Sequence, residues 1–314
     1  METINEKSEI LFYYESKYSI PNGDPFTGEQ RYDEETKRIL VSDVRIKRFI
    51  RDHLHNLGEA IYVINDKEQV EGNESGSSAR VKSLRSNRFK ELVEKAEKEA
   101  KDNKDKNFSP NLFLLKQCVD VRLFGGISTE KGNNVNLTGP VQFALLNPSL
   151  NTVDLRMHQN TSVFSSDVTK SGGAIGTTTV VPYSISQIHG WVNPVSAKLT
   201  GMTADDLQLM CKALWQSINN ANTRSKSNQS SMLLLQIIYN NTNDKAYGVD
   251  EIVKIKSDKR DEQLRSIEDF KFDFEKLKTL ANSPKVKEIK YFTELEEIEK
   301  ELKGLGGKLS KLTL

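Results

Sequence analysis

The sequence predicts an α+β fold built on a ferredoxin-like core, in which the elements follow the order β-α-β-β-α-β. Three observations support this prediction. A segment rich in aromatic and β-branched residues opens the chain, two amphipathic helical patterns follow, and a continuously apolar run, Met232 to Tyr239, comes last in the core. Two polar insertions interrupt this order, and a charged C-terminal quarter extends it.

The first predicted strand runs from Ser8 to Ile20, where aromatic, aliphatic and β-branched side chains predominate. The segment Pro21 to Pro25 ends it, because two prolines and a glycine exclude both a helix and a strand ladder. The sequence therefore places a structured loop directly after the first strand.

The first predicted helix begins after Ser42, a residue type that caps helix N-termini, and ends near Leu57, before Gly58. At the helical period, apolar residues share one face and basic residues gather on the opposite face. The apolar set is Ile46, Phe49, Ile50 and Leu57, and the basic set is Lys47, Arg48, Arg51 and His55. One face should pack on the core, and the other should be cationic.

Two stretches have the composition of insertions on this core. Residues 65–111 are mostly polar and contain a Lys/Arg/Glu-rich helical pattern, so a second hydrophobic domain is not expected there. Apolar character returns at Leu112 to Phe124 and again at Val141 to Leu146, which are expected to supply the second core strand. Residues 147–182 have few large aliphatic side chains and predict a long hairpin or loop that projects from the body.

The remaining core elements follow in order. Tyr183 to Val192 predicts the third strand, and Thr203 caps a helix with apolar residues at helical spacing. Met232 to Tyr239 is too continuously apolar to face water and predicts a buried central strand. This order is that of the ferredoxin-like fold and of RNA-recognition-motif (RRM) domains, with a core formed by residues 1–64, 112–146 and 183–248.

Residues 249–314 form a charged C-terminal extension. Its apolar residues lie at helical spacings and predict two amphipathic helices, followed by a flexible end from Gly304 to Leu314. The residues that carry this pattern are Phe270, Phe274, Leu277, Ile289, Phe292, Leu295, Ile298 and Leu302. Whether these helices pack on the core or on a neighbouring subunit stays open at this stage.

Composition limits the classes of function. The formal net charge is +1, so a nucleic-acid site must be local, because a free-standing non-specific binder would be clearly basic. Cys118 and Cys211 lie far apart without a CxxC motif, which predicts small buried residues. No apolar run is long enough to cross a bilayer and the first residues lack the build of a secretion signal, so the sequence predicts a cytoplasmic protein without a membrane partner.

Six short motifs occur in order between Glu9 and Tyr239. They are Asn22-Gly23-Asp24-Pro25, Val41 to Arg48, Asp120 to Gly125, Thr138 to Phe143, Val181-Pro182-Tyr183 and His189-Gly190. Together they resemble the Cas-seven (Cas7) family of CRISPR-associated backbone proteins, and most closely its type I-B branch, the Csh-two group. The C-terminal quarter carries no motif of this family.

The resemblance implies an RRM palm with inserted fingers at residues 65–111 and a projecting thumb at residues 147–182. Such subunits stack head to tail along one CRISPR RNA (crRNA), displace bases at regular intervals and present the guide for pairing with target DNA. The implied partners are crRNA, target DNA through the guide, further copies of the chain, and the crRNA-end-binding, large and small subunits of the surveillance complex (Cascade). The resemblance implies no cofactor, no metal and no catalytic residue.

A subunit that holds RNA regardless of its sequence needs contacts to phosphate and sugar, and surfaces that stack on bases. The candidates in the core are Asn22, Gly23, Asp24, Arg45, Lys47, Arg48, Arg51, Arg122, Phe124, Gly125, His189, Arg224 and Lys226. The candidates in the thumb are Arg156, Met157, His158 and Lys170, with Met157 or Val163 as the apolar wedge. Trp191 is a further stacking candidate beside His189.

Each candidate also has an interpretation without RNA. The basic helix face is then an ordinary solvated face. Asn22 to Asp24 then form a turn that ends a strand, and Arg224 and Lys226 then serve only solubility. The Phe124 ring then belongs to the core, and His189 is then a buried histidine with its hydrogen bonds satisfied. The thumb is then an ordinary surface hairpin.

Other functions stay open. Backbone subunits of type III complexes cut RNA with an aspartate in the loop after the first strand, where Asp24 lies, but metal-assisted cleavage needs further groups that bind metal, and the sequence shows none nearby. A stand-alone RNA-binding protein would carry an aromatic-rich RNP signature, which the two middle strands lack. The type I-C backbone is the near alternative within the favoured class.

Overall fold

The computed structural model describes residues 2–64, 76–105, 107–129, 134–161 and 175–314. The helices are α1 (Asp43–Asn56), α2 (Ser77–Ser83), α3 (Lys90–Asp102), α4 (Pro110–Lys116), α5 (Val119–Phe124), α6 (Pro194–Thr200), α7 (Ala204–Asn219), α8 (Glu275–Ala281) and α9 (Glu296–Leu305). The strands are β1 (Ser8–Ser19), β2 (Tyr32–Asp33), β3 (Arg38–Ser42), β4 (Gly125–Ser128), β5 (Val135–Thr138), β6 (Val141–Phe143), β7 (Leu146–Pro148), β8 (Arg156–Thr161), β9 (Ile175–Val192), β10 (Gln229–Tyr239), β11 (Lys254–Lys256), β12 (Lys271–Asp273), β13 (Val286–Phe292) and β14 (Leu309–Lys311).

The centre of the molecule is a mixed sheet in the order β14-β13-β10-β1-β9-β6. Neighbouring strands are antiparallel, except that β13 and β14 are parallel. Strand β10 is paired on both sides, by β1 and β13, which confirms the prediction of a buried central strand.

Strand β1 is buried on both faces because helices cover one side of the sheet and the C-terminal extension covers the other. Ile10, Phe12 and Tyr14 pack among residues of α1 and α7. The alternate residues Leu11 and Tyr13 pack among residues of the C-terminal extension. This alternation follows the two-residue period of a strand, and it explains why every position from Ser8 to Ser16 is buried.

Helix α1 begins where its sequence predicts, because the Ser42 side chain accepts a hydrogen bond from the Arg45 backbone N–H at 3.4 Å. Leu57 does not join the core: it is 59% exposed, because the helix has ended at Asn56. Leu54 takes the expected place inside. Helix α7 begins with a capping box between Thr203 and Asp206, as its sequence predicts.

Of the two apolar segments expected to supply the second core strand, Val141 to Leu146 contains β6 of the central sheet, whereas Leu112 to Phe124 contains α4 and α5. Ser109 caps α4 and Pro110 occupies its first turn, which are local helix signals that outweigh the apolar run. The insertion also differs from expectation. Apolar side chains of α2 and α3 share a small core with α4 and α5, and that core contains Val81, Val93, Leu114, Leu115 and Val121.

Strand β8 pairs antiparallel with the first part of β9, which is the arrangement that the predicted hairpin requires. Arg156 lies opposite Val180, and Met157 lies opposite Thr179. Beyond this hairpin, β9 continues into the central sheet and pairs with β1. Two thumb predictions, Val163 and Lys170, lie outside the described residues.

The C-terminal extension packs on its own chain, on the sheet face opposite α1 and α7. The prediction of two amphipathic helices is wrong in part, because Val286–Phe292 forms β13 rather than the start of a helix. The expected flexible end forms α9 up to Leu305 and then β14, which pairs with β13. Ile289 and Phe292 are three residues apart, which fits one face of a helix, but in β13 they pack on opposite faces of the sheet, and both pair with residues of β10.

Both cysteines are buried and unpaired, as the sequence predicts. Burial raises the pKa of each thiol to about 12. Within the described ranges, no helix is both long and apolar enough to cross a membrane.

Candidate nucleic-acid interface

The end of β1, the loop that follows it and the start of α1 form one connected region. The Asn22 side chain joins them, because its Oδ1 accepts hydrogen bonds from the Ser42 backbone N–H at 2.7 Å and the Ser42 hydroxyl at 2.8 Å. The Asn22 backbone N–H donates to Gln30 Oε1 at 2.9 Å. Since Ser42 caps α1, these bonds fix the loop against the N-terminus of the helix.

Two cations beside this junction have no carboxylate within ion-pair distance in the described part of the chain. The Arg45 guanidinium lies over the Phe49 ring, 3.8 Å from its centroid, and its buried Nε has no hydrogen-bond partner there. Lys226 is 9% exposed, and its ammonium donates only to neutral oxygens, the Ile20 carbonyl and, at 3.3 Å, the Ser225 hydroxyl. Among the described residues, positive charge is thus held at this junction without a counterion.

The pKa values of both cations are lowered. Burial, and then the charge of Arg45, lower the pKa of Lys226 to about 8. Burial likewise lowers the pKa of Arg45 from its usual value, although it stays a cation. Burial raises the pKa of the nearby Tyr14 to about 12, so this phenol is neutral and does not supply the missing negative charge. A bound anion would relieve the repulsion between the two cations.

Further groups surround this cation pair. The segment that carries Lys226 also carries the exposed Arg224, and it is attached to β1 by a hydrogen bond of 2.8 Å from the Ile20 N–H to the Ser225 carbonyl. Arg48 is exposed on α1, where it pairs with Asp52 at 3.3 Å. Arg45, Lys226, Arg224 and Arg48 therefore form a local basic surface in a chain of nearly zero net charge; Arg45 and Lys226 are its uncompensated part and are called the cation pair below.

Two other basic residues of α1 have partners inside the fold. Arg51 Nε donates to Asp120 Oδ2 at 3.0 Å, and this fully buried carboxylate also accepts the backbone N–H groups of Tyr62 and Val63 at 2.8 and 3.0 Å. Lys47 donates to Asp43 and Gln142 at 3.3 and 3.0 Å. The face predicted to be cationic is therefore divided between structural contacts and exposed charge.

The motif around Arg122 is also internal. Arg122 forms a bidentate pair with Asp206, with distances of 3.0 and 2.7 Å, and the Phe124 ring is buried in the core. Gly125 has φ +78°, and a Cβ built there would lie 2.1 Å from the Leu137 carbonyl oxygen. Two backbone segments cross at this point, so the need for glycine is structural.

Asp24 is engaged by its own loop. Its Oδ1 accepts hydrogen bonds from the Phe26 and Thr27 backbone N–H groups at 2.9 and 3.4 Å, and its Oδ2 pairs with Arg31 at 3.1 Å. Gly23 lies in the same loop, in an isolated bridge with Gln30. Over the ranges that the structure describes, no group of three acidic, histidine or cysteine residues is placed to hold a metal ion.

The thumb candidates and His189 lie in different environments. Arg156, Met157 and His158 are exposed on β8. His189 Nε2 lies 2.7 Å from the fully buried Glu9 carboxylate, which also accepts the Tyr239 hydroxyl at 2.7 Å. Burial would raise the pKa of Glu9, but the hydrogen bonds from these two side chains outweigh it and hold the pKa below its usual value.

His189 thus has an internal partner, with its ring 4.3 Å from that of Trp191. It lies on the sheet face of Leu11, opposite the cation pair, because Leu11 and His189 are cross-strand partners. The structure does not bring His189 together with Arg45 and Lys226.

Sequence reasoning missed the partners that hold these residues. Asp120 and Asp206 are the acceptors for Arg51 and Arg122, and the one available signal was an aspartate inside the apolar run Val119-Asp120-Val121. Phe26 is 96% exposed beside the candidate site. The sequence did not predict this exposure, because a single aromatic residue in a loop belongs to no periodic pattern that would show whether it is buried.

The fold and this region define a mixed α/β protein with a cation pair suited to bind phosphate. A family model described as CRISPR-associated protein Cas7 matches residues 6–275, and the chain belongs to this family. A CRISPR-associated protein Cas7 of Haloferax volcanii is 29% identical over 298 residues, which covers 88% of this chain and 83% of the relative.

Solved structures share the fold. A chain from a structure titled "CRISPR RNA-guided surveillance complex, pre-nicking" aligns with a TM-score of 0.53 at 14% identity, covering 98% of this chain and 96% of that one. A chain from a second structure, titled "CRISPR RNA-guided surveillance complex", aligns with a TM-score of 0.52 at 15% identity, covering 98% and 95%.

Proposed function

We propose that this chain is the guide-RNA backbone subunit of a type I CRISPR surveillance complex, and that Arg45 and Lys226 together hold a phosphate group of crRNA. The observation that carries this proposal is that the buried Lys226 and the partly buried Arg45 lie beside one loop junction, repel each other, and have no carboxylate within ion-pair distance in the described residues. A buried charge is costly unless it is paired. A phosphodiester would supply the counterion, and Arg224 and Arg48 could contact neighbouring phosphates.

In this proposal, the strands β10, β1, β9 and β6 with helices α1 and α7 are the RRM palm, which their antiparallel order supports. The fingers correspond to residues 65–111 and the thumb to 147–182, and the complex is of type I-B, working in the cytoplasm. Its partners are crRNA, further copies of the chain, target DNA through the guide, and the crRNA-end-binding, large and small subunits.

The proposed subunit binds RNA and does not cut it. Both oxygens of the Asp24 carboxylate are engaged by the loop and by Arg31, which favours a structural role over metal-assisted cleavage. We therefore expect no difference between wild type and Asp24→Asn when RNA complementary to the guide is incubated with the assembled particle and Mg²⁺. Cleavage that disappears in the variant would instead support the type III-like ribonuclease.

RNA binding should weaken as the pH rises through about 8. A phosphate favours the protonated form of Lys226, whereas in the free fold its pKa is lowered to about 8, so protonation must accompany binding above that pH. Lys226→Met should bind more weakly and lose this pH dependence, as measured by RNA titrations below and above pH 8. An unchanged pH profile in the variant would remove Lys226 from the site.

The same shift fixes the sign of the stability change in the free protein. Between about 8 and 10.5, the unfolded chain binds more protons at Lys226 than the folded chain does. The free energy of unfolding should therefore rise with pH across this window, apart from the contributions of other groups.

The direct test is to purify the chain with a co-expressed CRISPR array, measure particle size with and without nuclease, and sequence the bound RNA. Repeat-spacer RNA of uniform length in a multi-copy particle is the expected result. A monomer without RNA, or one that carries assorted transcripts, would favour a stand-alone RNA-binding protein.

A further inference from the structure

Phe26 is a large apolar side chain held in solvent at the tip of the loop after β1. It is 96% exposed. The loop around it is closed by its own hydrogen bonds, from the Gly28 N–H to the Asp24 carbonyl at 2.8 Å and from the Asp24 N–H to the Glu29 carbonyl at 2.7 Å. The backbone therefore presents the ring in a defined position, although the ring contributes little to the core.

The loop that carries Phe26 joins the cation pair to the β8–β9 hairpin. On one side, Asn22 binds the cap residue of α1, one turn before Arg45. On the other side, the Thr179 hydroxyl lies 3.4 Å from Glu29 Oε1. Phe26 thus occupies a loop fixed at both ends to elements that carry candidate RNA contacts.

The hairpin presents a second exposed apolar group toward this loop. Met157 is 73% exposed, and it is the cross-strand partner of Thr179. Cross-strand partners project to the same face of a ladder, so Met157 lies on the hairpin face whose Thr179 meets Glu29. An aromatic ring and a flexible thioether therefore flank the same side of the site.

We infer that Phe26 stacks on an unpaired base of the RNA strand whose phosphate is held by Arg45 and Lys226. This inference rests on the proposed function. Every base has a flat π-face, so an aromatic ring can contact it without selecting a sequence. Because the loop is already ordered, little conformational entropy is lost on binding. The neighbouring uncompensated cations favour a polynucleotide over a second protein surface as the group that covers the ring.

The test compares Phe26→Ala with Tyr247→Ala in the full chain, using single-stranded RNA that carries 2-aminopurine at successive positions. Tyr247 is the matched control because it is also fully exposed, and its neighbour Ala246 packs on the opposite sheet face. We expect Phe26→Ala to weaken RNA binding roughly 5- to 150-fold, from the free energy of one base–aromatic stack. It should also abolish the fluorescence quenching of the stacked 2-aminopurine.

Phe26→Trp should retain both affinity and quenching, whereas Tyr247→Ala should behave as wild type. Two outcomes would overturn the stacking inference and leave the proposed function standing. In the first, the wild type binds RNA but no 2-aminopurine position is strongly quenched. In the second, Phe26→Ala and Tyr247→Ala bind RNA with equal affinity. Loss of self-association without loss of quenching in Phe26→Ala would assign the ring to a contact with a second copy. Failure of the wild-type chain to bind RNA would overturn the proposed function and this inference with it.

Discussion

Replacing Arg45 by alanine together with Lys226 by methionine is expected to weaken binding to single-stranded RNA by about 100-fold or more. Each cation can donate a charge-assisted hydrogen bond worth about 1.5–3 kcal/mol, and about 3 kcal/mol in total corresponds to more than 100-fold in affinity. The effect should be largely independent of RNA sequence because phosphate contacts carry no sequence information. The slope of log K against log salt concentration should fall by about 0.7 for each phosphate that the variant no longer neutralises.

A matched control removes the same amount of charge elsewhere. Lys276 and Lys303 lie in the C-terminal extension, are more than half exposed and are paired with Glu251 and Glu299. The double variant Lys276→Ala, Lys303→Met should retain RNA affinity close to wild type. Equally weakened binding in the two double variants would mean that net charge, rather than the cation pair, governs RNA binding. Thermal melting without RNA checks that both variants are folded.

Arg51→Ala should lower the free energy of unfolding by about 3–5 kcal/mol, the usual cost of leaving one member of a buried ion pair without its partner. Asp120 is fully buried and bridges Arg51 to the backbone N–H groups of Tyr62 and Val63. The pair therefore joins α1, the segment after it and α5. Denaturant unfolding of the free chain measures the change as a shift of the midpoint.

Arg48→Ala is the control on the same helix. Arg48 also pairs with an aspartate, but both side chains are more than half exposed, so the expected change is below about 1 kcal/mol. RNA binding should give the opposite ranking: folded Arg51→Ala protein should bind RNA nearly as wild type, and Arg48→Ala more weakly. If Arg48→Ala and Arg51→Ala destabilise the fold equally, the structural role assigned to the buried pair is wrong.

The candidate site could be predicted in outline only. The sequence predicted Arg45 and Lys226 as RNA contacts, but the same argument also predicted Arg51 and Arg122. The sequence around a basic residue does not show whether its side chain is exposed to solvent or paired with a buried aspartate. The difference depends on Asp120 and Asp206, which lie 69 and 84 residues away from the arginines that they bind. Such long-range pairing leaves no periodic signal in the sequence.

Local signals were sufficient for several elements. Ser42 and Thr203 began their helices as predicted, because a capping side chain acts on backbone groups within three residues of itself. The continuous apolar run in β10 required burial on both faces. At Leu112 to Phe124 the apolar run predicted only that the core resumes, and the cap at Ser109 marks the start of helix α4 there.

The sequence by itself determined the starts of α1 and α7, the buried central strand and the order of motifs that marks the Cas7 family. Only the tertiary structure decided that β13 and β14 extend the central sheet, that the C-terminal extension packs on its own chain, and that Arg45 and Lys226 remain without a carboxylate among the described residues. The physical reason is the range of the interactions. Caps and periodicity act within a few residues, whereas strand partners and counterions come from any part of the chain and exist only once the fold has formed.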